Sequence, residues 1–97
     1  MRHFHRTSGA PDGVLRAADA FFGELGLATA ARTPAARDYA GALGAVRVTV
    51  RMEGGHYTLV DVHTDQVGES RLDKNVKKFF VSLHRRHDPR HALRSGF

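Results

Sequence analysis

The chain has 97 residues, 41% of them apolar and 26% charged, the balance of one globular domain and too short for two cores. Without cysteine it can form no disulfide, no thiol nucleophile and no cysteine-ligated metal centre. Its formal charge of +5 is unevenly distributed: residues 71–97 hold eight basic and two acidic side chains, whereas residues 1–70 hold seven and eight.

In chain order, residues 2–6 read as a short edge strand with Phe4 turned inward, followed by a turn at Thr7-Ser8-Gly9-Ala10. Pro11 suits the first position of a helix, and Asp12 suits the positive end of its dipole. Val14, Leu15, Ala18, Phe21, Phe22 and Leu25 then fall on one helical face, opposed by Arg16, Asp19 and Glu24. The spacing predicts a helix over 11–25, ended by a left-handed Gly26. Residues 27–44 are Ala-rich and weakly patterned; Pro34 and the glycines argue against a long helix and for two short strands around a turn at 34–36.

The next segment is sharply patterned. Val46, Val48, Val50 and Met52 alternate with Arg47, Thr49, Arg51 and Glu53, the period of a half-buried strand. Gly54-Gly55 supplies a hairpin turn, and the return strand runs over 56–64. Ser70 reads as a helix N-cap with Asp73 three residues on. Leu72, Val76, Phe79, Phe80 and Leu83 then trace a second amphipathic helix to about residue 86, stopped by Asp88-Pro89. The expected fold is thus α+β, an antiparallel sheet with two helices on one face in the order β-α-β-β-β-β-α. Residues 1–89 form the single domain, and 90–97 a flexible tail.

That order resembles the half-repeat of the TATA-box-binding-protein-like fold and, more distantly, a helix-grip fold with fewer strands. The resemblance is one of topology and implies no activity. With only one strand in 27–44, the order resembles that of ribosome-hibernation factors, whose basic helix pair contacts ribosomal RNA. Without the N-terminal strand as well, it resembles a double-stranded RNA-binding domain. The stretch from Gly68 to Lys74 departs from that family by lacking its lysine pair, and Phe79-Phe80 stands where it has small alanines.

Two constellations carry chemistry. Arg71, Lys74, Lys78 and Arg85 recur at helical spacing and share one stripe, with Lys77 to one side and Arg86 extending it. A stripe of this kind contacts phosphates in a nucleic acid or another polyanion, ribosomal RNA included; it is equally the pattern of an ordinary solvated helix face. Asp61, His63 and Asp65 form the second, on one face of a strand. If Glu53 pairs with His56 across a two-residue turn, Asp61 and His63 face the helices and line a small-ligand pocket. A register shifted by one residue aligns Val60 and Val62 with the valines, buries more apolar surface, and turns the polar trio to water.

No metal site and no cofactor is expected, since a line of ligands along one strand spreads too far for one ion. The common nucleophile, P-loop and dinucleotide motifs are missing, so binding rather than catalysis is expected. A chain this small gains core by pairing, and a homodimer is the expected assembly. No apolar run approaches the ~20 residues of a membrane span. Residues 1–6 lack an apolar signal core, so a cytoplasmic, bacterial-type protein with no membrane partner is expected.

Overall fold

The computed structural model describes residues 1–87, with side chains to residue 85. The expected helix stop at Asp88-Pro89 and the tail over 90–97 lie outside the described residues. Seven elements follow one another: β1 (Arg2–Thr7), α1 (Pro11–Glu24), β2 (Ala28–Thr33), β3 (Ala36–Gly41), β4 (Gly44–Glu53), β5 (Tyr57–Thr64) and α2 (Arg71–His87). The five strands form one antiparallel sheet in the order β1-β5-β4-β3-β2. The order β-α-β-β-β-β-α expected from the sequence is therefore the order found. Residues 27–44 hold two strands, so the four-strand alternative does not apply.

Local chemistry explains where the elements begin and end. Pro11 opens α1 behind an extended Ala10. At its other end Gly26, at φ +86°, lets the amides of Gly26 and Leu27 turn back to the carbonyls of Gly23 and Phe22, at 3.0 and 3.1 Å. That pair of bonds is a Schellman cap, and it delivers Leu27 into the core beside Phe22. Ser70 caps α2: its Oγ accepts the Asp73 amide at 3.0 Å.

The β4–β5 hairpin decides the layout of the whole sheet. Its turn holds three residues, Gly54-Gly55-His56, with Glu53 opposite Tyr57. Both glycines have positive φ, at 64° and 75°, where a side chain would be strained. The added residue aligns Val50 with Val60 and Val48 with Val62, all four fully buried or nearly so. Both helices pack on this inner face. Val14, Leu15, Ala18 and Phe22 from α1 meet the valines and Leu72, Val76, Phe79 and Leu83 from α2 in one core. The Phe22 ring joins the layers, 5.2 Å from both Tyr39 and Phe79. Each buried valine, leucine or phenylalanine here contributes roughly 1.5–3 kcal/mol.

One expectation is corrected. Phe4 faces outward and is 53% exposed, while His3 and His5 point inward. The register decides this, because β1 sets His3 opposite Val62 and His5 opposite Val60, on the core side of β5. The inward histidines find partners under α2. His5 stacks on Phe80 at 4.9 Å, and His3 Nε2 lies 2.8 Å from the Asp73 carboxylate. Phe4 is covered on the outside by the Arg2 guanidinium, 4.4 Å from its ring centre.

Candidate functional site

The solvent face of α2 follows from its apolar face. Leu72, Val76, Phe79 and Leu83 are fully buried, which fixes the rotation of the helix about its axis. Arg71, Lys74, Lys78 and Arg85 are then exposed. At about 100° per residue they fall within an arc of roughly 60°, spread over about 21 Å of helix. Lys77 lies beside the row, where its Nζ sits 3.1 Å from Glu69 Oε1. That hydrogen bond, the Lys77 charge and the charge of Lys74 hold the Glu69 carboxyl below its ordinary range. Arg86 belongs to α2, but its side chain lies outside the described residues.

None of the four cations in the row has an ion-pair partner among the described residues. Between them, Lys77, Lys78, Val81, Ser82 and Arg85 line a shallow groove of about 380 Å³. Val81, 50% exposed, is the apolar residue of this lining. The sequence reading missed Val81 and Ser82. Their signal was present, since both fall on the solvent side of a helix whose inward positions are already filled.

The row stands on a helix held rigidly at its first turn. The Asp73 carboxylate, 2% exposed, accepts hydrogen bonds from Ser70 Oγ at 2.6 Å and Thr64 Oγ1 at 2.8 Å, besides the His3 contact. Burial alone would raise its pKa; the bonds from Ser70, His3 and Thr64, with the charge of His3, outweigh that and keep it below the usual carboxylate range. Serine, aspartate and histidine thus meet here, but not as a catalytic relay. In such a relay the serine would donate to the histidine, whereas here both donate to the same carboxylate. The node ties β1, β5 and α2 together.

Next to it, His5 is less well satisfied. Its Nε2 is buried without a hydrogen-bond partner. Burial first, and then the charge of His84 on α2, lower its pKa.

Asp61 and His63 lie elsewhere. The hairpin register puts both on the outer face of the sheet, opposite the helices, so they line no pocket between helices and sheet. The physical reason is the one weighed in the sequence: burying Val60 and Val62 excludes burying their polar neighbours. Asp61 accepts two bonds from Arg2, at 2.9 and 3.3 Å, and lies 3.3 Å from His63 Nε2. His63 borders an open depression of about 590 Å³ with Asp38, Arg47 and Asp65. Asp65 is occupied by the Ala45 amide at 2.9 Å and by the Gln66 side chain.

Among the described residues no group of three or more histidine or acidic side chains is placed to hold a metal ion. Nor is any helix there long and apolar enough to cross a membrane. Comparison with protein-family models and with curated proteins found no match to this chain.

Proposed function

We propose that the protein is a binding domain that docks the phosphate backbone of a nucleic acid duplex on the exposed face of α2. The observation that carries this is the row of Arg71, Lys74, Lys78 and Arg85, without a carboxylate partner among the described residues, on a helix anchored to the core. Cations at helical spacing on an anchored backbone meet phosphates without any ordering of the main chain, and their binding is driven by counterion release. The row offers no exposed aromatic ring on α2 for an unpaired base, because Phe79 is fully buried and Phe80 stacks on His5. That favours a duplex over a single strand.

The test is binding of short duplex RNA and DNA, followed by fluorescence anisotropy from 50 to 300 mM salt. Affinity should fall steeply as salt rises, with a log–log slope of about −2.7 to −3.6 for three or four phosphate contacts at about 0.9 each. Undetectable binding at the lowest salt removes the proposal.

A second reading, assembly of the chain into a homodimer, is supported by β2. All six residues of this edge strand are exposed, and the run Ala28-Thr29-Ala30-Ala31-Arg32-Thr33 holds no lysine or proline to repel another strand. Sedimentation equilibrium tests it, and a monomer at high micromolar concentration counts against it.

A further inference from the structure

Resting on that reading, we infer that the C-terminal half of α2 holds a defined phosphate subsite, formed by Lys78, Ser82 and Arg85 beside Val81, that grips a phosphodiester without reading bases. Lys78, Ser82 and Arg85 stand at i, i+4 and i+7, so their side chains rise from one helical face. All three border the groove of about 380 Å³ on that face. The Ser82 hydroxyl makes no hydrogen bond among the described residues, and neither cation has a carboxylate partner there. Lys77, on the far side of Val81, is held by Glu69.

The donor set selects the ligand. A hydroxyl between an ammonium and a guanidinium offers donors from three directions, which suits the several oxygens of a tetrahedral phosphate. A carboxylate has only two oxygens in one plane, so it suits the flat guanidinium fork better than donors arriving from three directions. The negative end of the helix dipole amounts to about half a charge, which the two cations outweigh. Engaged with phosphate oxygens, the lysine and arginine are not available for the guanine edges they otherwise read in a major groove. The only amide side chain on α2, Asn75, turns its Nδ2 back to the Arg71 carbonyl at 2.8 Å. Contacts to phosphate fix position on a duplex and carry no base information.

The experiment uses the full chain with two duplexes of unrelated sequence, and inorganic phosphate as a separate probe followed by amide NMR shifts. Lys78→Ala and Arg85→Ala should each reduce the salt slope by about one unit. Ser82→Ala, which removes no charge, should weaken binding several-fold at unchanged slope. Both duplexes should respond alike, and Arg51→Ala, on the opposite face of the sheet, should change neither quantity.

If duplex binding persists but Lys78→Ala and Arg85→Ala leave the slope intact, the subsite is wrong while the docking reading stands. If no duplex binds but phosphate shifts residues 78–85, the docking reading fails and the subsite holds as a site for free phosphate groups. A preference above about a hundredfold between the duplexes overturns the claim that bases are not read.

Discussion

The outer face of the sheet and the solvent face of α2 are both studded with arginine or lysine, yet they differ in what those charges do. On the sheet, Arg2 pairs with Asp61, Arg6 with Glu53 and Arg47 with Asp38, at 2.9, 2.9 and 2.6 Å. The Arg47 hydrogen bond holds the Asp38 carboxyl below its ordinary range. Cross-strand spacing makes such pairing easy, because opposite charges on neighbouring strands sit within reach. On α2 Lys77 is paired with Glu69, whereas the four cations of the row are exposed and have no carboxylate partner among the described residues. A count of charges does not separate these surfaces. What separates them is how often a carboxylate stands opposite: among the described residues Arg51 is the arginine of the sheet's outer face without one, whereas four neighbouring cations on α2 have none.

The comparison breaks most visibly if α2 loses its anchor. Asp73→Ala leaves the Ser70 and Thr64 hydroxyls and His3 without their acceptor, and should cost roughly 2–4 kcal/mol in urea unfolding. Acid probes the same node. Because the folded-state pKa of Asp73 lies below its ordinary 3.8, its contribution is present above about pH 4 and lost as pH falls through the folded value. Comparing wild type with Asp73→Asn in acid unfolding isolates it; parallel curves would mean that the node adds nothing.

The next effect sharpens the contrast between the faces directly. Lys74→Glu with Lys78→Glu should weaken duplex binding by at least about tenfold at moderate salt, through repulsion as well as lost contacts. The matched reversal on the sheet, Arg2→Glu with Arg47→Glu, should change it less than about twofold beyond the shift in net charge. Equal losses from the two pairs would show that net charge alone is read.

A smaller effect tests the seam under α2. His5 has a lowered pKa in the folded protein, so the unfolded chain takes up its proton first. Stability is then full above about pH 6.5 and declines below it. His5→Phe keeps an aromatic ring against Phe80 and removes the titration, so the loss between pH 7 and pH 5 should shrink relative to wild type. The smallest change is expected from Arg47→Ala, whose melting temperature should stay close to wild type because exposed pairs add little.

Much of this molecule was legible in the residues themselves. The alternation Val46, Val48, Val50 and the stripe Leu72, Val76, Phe79, Leu83 each carry a period that only one kind of element satisfies. The caps at Pro11, Gly26 and Ser70 mark helix ends through local backbone chemistry, which acts over a few residues and so can be read there. Even the pair of short strands around Pro34 followed from what breaks a helix. The row of cations on α2 followed in turn, because the buried stripe fixes which positions are left for solvent.

Pairing across the sheet was a different matter. Whether Asp61 and His63 faced a pocket or the solvent turned on a single residue in the Gly54-Gly55-His56 turn, and sequence left two registers open. The inward turn of His3 and His5 in place of Phe4 depended on β1 meeting β5, about 55 residues away along the chain, and on the Asp73 and Phe80 partners waiting under α2. Which arginines are neutralised was equally hidden, since Arg2 and Asp61 meet only across strands. Periodicity and capping are set by neighbours along the chain, so the sequence by itself determined the elements, their order and the charged helix face. Register and charge pairing are set by neighbours across the sheet, where one residue of slip exchanges the two faces, and only the tertiary structure decided them.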